Sequence, residues 1–311
     1  MLFSTFLYNN LPHGNVIYFP YSIYDYIVNI LFKPKGQKYV IGSHGMHLKM
    51  GRMLKDHRLL EILLNAAVKS VLLLRKGEIN NIYCHVINKE QECYIKKTFG
   101  FRTENIFFVP IMLKVTNYLT KKNKSKKLKV VHIGGMGKEL QTVLNVVNML
   151  DKKGILGEFE FYFIGETDEN VEKRYKRFSN IHFLGMIDDK QKIKTLSEMD
   201  VMVVPAYETF SKAMLEGLAS GLYIITSKRT ASWKDLVNLG IKIAVAGEGE
   251  AHEYLAPLIS LSKRKRKRKD VNPYKYINIK RTAINFDEKI VLKKMLKLFR
   301  KVIDREYKVI K

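Results

Sequence analysis

The chain has 311 residues, too long for one ordinary α/β domain and suited to two of about 120–170 residues each. Hydrophobic residues make up 46%, which excludes a wholly disordered chain, and the net charge of +25 favours anionic partners without bearing on fold. The two cysteines, Cys84 and Cys93, fit neither a disulfide framework nor a metal-ligand spacing and suit a reducing compartment. No run of about 18 apolar residues is present, and MLFSTFLYNNLPHGN has neither a basic leader nor a cleavage site. A cytoplasmic protein is therefore expected, with a basic surface that would suit the inner face of a membrane.

In chain order, the first half predicts strands at Val16–Phe19, Lys38–Gly42, Asn81–Val86 and Ile106–Pro110. Helical stretches fall between them at Tyr24–Leu31, Met50–Val71 and Lys89–Phe99. The second half alternates more regularly. Strands are expected at Leu128–Ile133, Phe159–Gly165, Ile181–Gly185, Asp200–Pro205, Leu222–Thr226 and Ile241–Ala246. Helices are expected to start near Glu139, Val171, Lys190, Ser211 and Ser232. Such alternation predicts βαβ units and a doubly wound parallel sheet, whose ligands bind beyond the carboxyl ends of the strands.

The expected division is a smaller α/β domain over 1–119, a lysine-rich linker over 120–127 and a second domain over 128–262. A basic linker over 263–284 follows, containing the run Lys263–Lys269, and then an amphipathic helix over 285–311. The stretch Asn285–Glu288, NFDE, reads as the capping box of that helix.

The segment PAYETFSKAMLEGLASGLYIIT, Pro205 to Thr226, carries the chemistry. A strand ends at Pro205, a loop holds Glu208, Thr209 and Phe210, and a helix begins near Ser211 and stops at Gly221. A helix N-terminus beyond a parallel strand is an anion site. Glu208 precedes the helix and Glu216 lies about two turns along it, so one carboxylate can face a phosphate or sugar while the other meets ribose hydroxyls.

This segment resembles the E-x7-E signature of the retaining family-four glycosyltransferases. FYFIGET and NIHFLGMIDDKQKIKTLSEMDVMVVPAYET resemble that family's upstream strands in the same order, from about Lys127 to Ala246. The resemblance implies the GT-B fold: two Rossmann-like domains across a cleft, with the last helix returning to the first domain. It implies transfer of a hexose from a UDP- or GDP-sugar with retention of configuration, to an acceptor the sequence does not name. In that role Glu216 would hold the ribose and Glu208 would sit by the donor sugar. The backbone of Thr209, Phe210 and Ser211 would meet the diphosphate, with Lys212 as an auxiliary cation. Met186 and Ile187 would flank the base, and Gly134 and Gly135 would form the phosphate loop. Lys138 would neutralise the leaving diphosphate. No D-x-D metal motif occurs, so neither a metal nor any other cofactor is expected.

The chain departs from the family pattern at several places, three of them at or beside site residues. Gly135 stands where arginine is usual, Ser211 replaces glycine, and Gly217 replaces the alanine after Glu216. In the first half, KYVIGSHGMHL resembles the family's strand end and puts His44 at the cleft, with His47 as the fallback. For a lone histidine there, a structural role and a ligand-holding role both stay open.

Two helices, from Met50 and over the C-terminus, pair apolar faces with basic residues. The terminal helix presents Leu292, Met295, Leu296, Phe299, Val302 and Ile303 as its apolar face. Both patterns suit surface helices packed on a core. The rival is contact with an anionic membrane surface, to which the Lys263–Lys269 run would add. Two other functions compete with sugar transfer: a catalytically weakened partner subunit and a basic nucleic-acid-binding protein. The latter lacks any recognition motif.

Overall fold

The computed structural model describes residues 16–19, 38–42, 66, 70, 82–118, 125–134, 138–206, 210–267 and 269–307. The chain divides into two units, 1–111 with 289–311, and 112–288. The expected helix at Tyr24–Leu31 lies outside the described residues, as does that at Met50–Val71 apart from the helical Ala66 and Ser70.

The first unit has a parallel sheet in the order β1 (Val16–Phe19), β2 (Lys38–Gly42), β3 (Ile82–Val86) and β4 (Ile106–Phe108). Every residue of β3 is buried, which is why IYCHV is apolar without alternation apart from His85. His85 meets that burial through its Nε2, 2.6 Å from the Val109 carbonyl oxygen. Helix α1 (Lys89–Phe99) is capped by Asn88, whose side-chain Oδ1 accepts from the Gln91 backbone amide at 2.8 Å.

The second unit has a six-stranded parallel sheet. Its strands are β5 (Leu128–Ile133), β6 (Phe159–Ile164), β7 (Ile181–Phe183), β8 (Val201–Val204), β9 (Tyr223–Ser227) and β10 (Ala244–Ala246). They lie in the order β10-β9-β8-β5-β6-β7, the doubly wound order of a dinucleotide-binding fold, which reverses direction between β5 and β8. The intervening helices are α2 (Lys138–Lys152), α3 (Glu169–Tyr175), α4 (Asp189–Ser197), α5 (Lys212–Ala219) and α6 (Trp233–Asn238). One side of the sheet is filled by Val130, Phe159, Phe161 and Phe163 with Val143, Val147 and Leu150 of α2.

Three expectations near the C-terminus are corrected. The segment 263–284 is not a plain linker. Lys263–Arg266 form the last turn of α7 (Leu255–Arg266), and Lys275–Phe286 form α8. NFDE is not a capping box, because Asn285 lies inside α8 and donates to the Arg281 carbonyl at 2.8 Å. The helix breaks at Asp287, where Leu113 donates to the Phe286 carbonyl (2.8 Å) and accepts from the Glu288 amide (3.0 Å). That pairing takes the backbone out of the helix for one residue, and α9 (Glu288–Tyr307) then begins. The third correction is the buried face of α9. Val291, Leu298 and Val302 pack with Tyr83 and Val109, joined by Met295 and Phe299, whereas Leu292 and Leu296 are exposed. Positions 291, 295, 298 and 302 keep to one helical stripe, while 292 and 296 fall on the next row round.

Candidate functional site

Crossovers leave β5 and β8 in opposite directions, so their carboxyl ends open a crevice at the switch point. From β5 the chain runs through Gly134 into α2, and from β8 through Pro205 into α5. The Gly134 amide donates to the Ile164 carbonyl at 3.0 Å, tying this loop to the end of β6. Beside it, the buried His132 ring sets Nδ1 3.1 Å from the Val203 carbonyl, which spans the two switch-point strands. Burial lowers the His132 pKa, so the ring is neutral near neutral pH.

Ser211 is the N-cap of α5, and its hydroxyl accepts from the Met214 amide at 3.2 Å. The serine that replaces glycine here thus satisfies one amide of the first turn. The Lys212 and Ala213 amides remain on the open end of the helix, where the dipole favours an anion. Lys212 is exposed and Phe210 is buried, its ring 5.6 Å from Phe286. Gly217 sits where α5 crosses β8 and β9. A Cβ there would lie 2.8 Å from Met202 Sδ and 2.9 Å from Ile224 Cδ1, so glycine lets the helix approach the sheet closely.

Glu216 is 3% exposed and its carboxylate has two neighbours from elsewhere in the unit. Lys192 of α4 donates to Glu216 Oε1 at 3.0 Å and also pairs with Asp189 at 2.8 Å. The Tyr118 hydroxyl hydrogen-bonds the same carboxylate, and its phenol is pushed up by burial first and by the Glu216 charge second. For Lys192, burial pulls the ammonium down while hydrogen bonds to Asp189 and Glu216 lift it further, with a net rise. The result is a buried carboxylate faced by a cation, about one helix turn inside an anion-accepting helix end rather than the two turns expected. Carboxylate oxygens at such a place can accept from paired hydroxyls of a sugar ring.

The loops after β6 and β7 are joined by the Gly165 amide, which donates to the Gly185 carbonyl at 2.9 Å. Beyond that bond Met186 is exposed and Ile187 half-buried. Of the expected site residues, the fold therefore puts Gly134, Phe210, Ser211, Lys212 and Glu216 on elements that leave β5 and β8. Lys138 opens α2. Its side chain, together with His44, His47, Gly135, Glu208 and Thr209, lies outside the described residues. Lys192, Tyr118 and His132 were not singled out by the sequence. Their contacts span 24, 98 and 71 positions, which no local spacing can signal. Among the described residues, no group of three His, Cys, Asp or Glu side chains is placed to hold a metal ion.

Residues 127–264 match the sequence model of the family described as Glycosyl transferases group 1. No curated protein matches the chain. Among solved structures, sucrose-phosphate synthase from Thermosynechococcus elongatus is 13% identical, with a TM-score of 0.72 over 97% of this chain and 77% of its own. A glycosyltransferase from Rickettsia africae ESF-5 is 12% identical, with a TM-score of 0.69 over 97% and 80%. Anabaena HepE, solved in complex with UDP, is 11% identical, with a TM-score of 0.73 over 96% and 82%. At these identities the structures establish the fold, which is GT-B, and the stretch similar to the group 1 glycosyl transferase family lies within the second unit.

Proposed function

We propose that the chain is a retaining glycosyltransferase that moves a hexose from a UDP- or GDP-sugar to a hydroxyl acceptor. The observation that carries this reading is Glu216. It is buried on α5 and faced by a cation, immediately inside the Ser211-capped helix end at the switch point, within the segment that matches the glycosyl transferase family. Glu216 would accept from the ribose hydroxyls of the donor, and the Lys212 and Ala213 amides would meet the diphosphate. HepE has been solved with UDP and with UDP-glucose, which favours a uridine donor here.

In the proposed reaction the bond between the anomeric carbon and the diphosphate oxygen breaks. The acceptor oxygen bonds to the same face of the sugar, and its proton passes to the departing diphosphate. Glu208 would stand by the sugar, His44 would hold the donor sugar or the acceptor, and Lys138 would neutralise the charge that grows on the leaving group. No metal is required by this scheme.

A thermal-shift screen against UDP-, GDP- and ADP-sugars tests the reading. Ligand at 100 times its dissociation constant adds about 2.7 kcal/mol of stability. A shift with one sugar nucleotide, accompanied by its slow hydrolysis, supports the transferase. A shift without hydrolysis or transfer identifies a donor-binding partner subunit, and no shift with any of the three overturns the proposal.

A further inference from the structure

Helix α8 exposes large apolar residues while it buries two polar ones. Its buried positions are Asn278, Thr282 and Phe286, one stripe along the helix. Asn278 is pinned to Lys242, accepting from its amide and donating to its carbonyl at 2.8 Å each. The opposite side exposes Tyr276 (81%), Ile277 (49%) and Ile284 (52%), with Tyr274 just before the helix. Tyr274, Ile277, Arg281 and Ile284 follow the three-and-four spacing of a single helical face, and Tyr276 and Lys280 flank it. Single exposed apolar residues are ordinary, but a row of them on a helix that buries Asn278 and Thr282 beside Phe286 is not.

Charge identifies what would cover this face. Residues 263–286 contain ten Lys or Arg and one acidic residue, Asp270, and 271–286 contain no acidic residue at all. Lys265 and Arg266 are spoken for by Asp200 and Glu158. Lys263, Lys267, Lys269, Lys280 and Arg281 are exposed. A nucleic acid would use the cations and leave Ile277 and Ile284 wet. An anionic lipid surface uses both, with tyrosine at the headgroup level where its ring and hydroxyl suit the two environments. Spanning is ruled out for α8, since no helix among the described residues is long and apolar enough to cross a membrane.

We propose that α8 docks in the plane of an anionic membrane surface, with Tyr276, Ile277 and Ile284 inserted among the headgroups and Lys280 and Arg281 on the phosphates. This places membrane contact on the second unit, beside the Lys263–Lys269 run, rather than on the helix from Met50 or the terminal helix that the sequence offers. The proposal does not depend on the sugar-transfer reading.

The test is co-sedimentation of the full chain with vesicles of phosphatidylcholine alone and of an equal mixture of phosphatidylcholine and phosphatidylglycerol. Wild type should pellet with the mixed vesicles and detach as salt rises. Ile277→Ser with Ile284→Ser should lower partitioning about tenfold or more. Lys280→Glu with Arg281→Glu should abolish the preference for anionic lipid. Tyr276→Trp, with wild type and its Trp233 as the blank, should be quenched by lipid brominated on the acyl chain. If the serine pair unfolds the protein, that quenching decides. The proposal is overturned by equal partitioning of the serine pair and wild type, by bound but unquenched Tyr276→Trp, or by retention on duplex nucleic acid without vesicle binding.

Discussion

Replacing Lys192 by Met removes the cation that faces Glu216 at 3.0 Å and leaves a carboxylate whose side chain is only 4% exposed. Breaking one side of a fully enclosed ion pair costs about 3–5 kcal/mol. Lys192 is 16% exposed and the Tyr118 hydroxyl still reaches the carboxylate, so roughly 2–3 kcal/mol is expected. For a unit spanning 112–288 this corresponds to a fall of roughly 5–10 °C in its unfolding midpoint. The pH dependence gives a second readout. Lys192 is raised in the folded protein, so its stabilisation is full below the unfolded lysine value of about 10.4 and is lost as pH rises through the folded value. Adding Glu216→Gln should recover most of the loss, because a neutral amide tolerates burial without a cation. Thermal melts of the three proteins at neutral and alkaline pH make the comparison. A Lys192→Met melt that matches wild type at neutral pH, or a deficit indifferent to Glu216→Gln, refutes the reasoning.

Glu216→Ala should weaken sugar-nucleotide binding by about 10–100-fold, the worth of hydrogen bonds to a charged acceptor, and unchanged affinity by calorimetry would remove it from the donor site. Lys138→Ala should lower kcat more than it raises KM, because diphosphate charge grows towards the transition state; a rise in KM alone would make it a plain ground-state contact. Ser211→Ala should cost about 1 kcal/mol through loss of the cap on the Met214 amide, seen as a lowered melting midpoint without ligand. Transfer activity should persist in EDTA, and loss that manganese or magnesium restores would contradict the metal-free scheme.

The central strands were legible because both faces of the second sheet are covered: VMVV of β8 is an unbroken apolar run buried at every residue, and the expected Leu128–Ile133 matches β5 to the residue. The edge strands were over-extended. Ile181–Gly185 and Ile241–Ala246 shrink to β7 and β10, which pair on one side only. Helix starts were readable where a side chain caps them, as Asp168, Asp188 and Ser211 do. Helix α8 escaped because Asn278 and Thr282 occupy its buried stripe while Ile277 and Ile284 are exposed, so a search for an inward apolar stripe finds linker. At the site, the spacing of Glu216 from the strand end was visible. The cation opposite it was not, because Lys192 reaches Glu216 only through the packing of two crossover helices.

The paired backbone at Leu113, Phe286 and Glu288 also bears on the order in which the protein is made. The second unit is a continuous stretch whose first and last residues are hydrogen-bonded together, so it can close as soon as 112–288 has left the ribosome. The first unit cannot. Its core around Tyr83 and Val109 waits for Val291, Leu298 and Val302, which are synthesised nearly two hundred residues later. A nascent chain therefore carries an unfinished N-terminal half for most of its synthesis. Trimming the last helix would then act as a core deletion in the half of the protein made first.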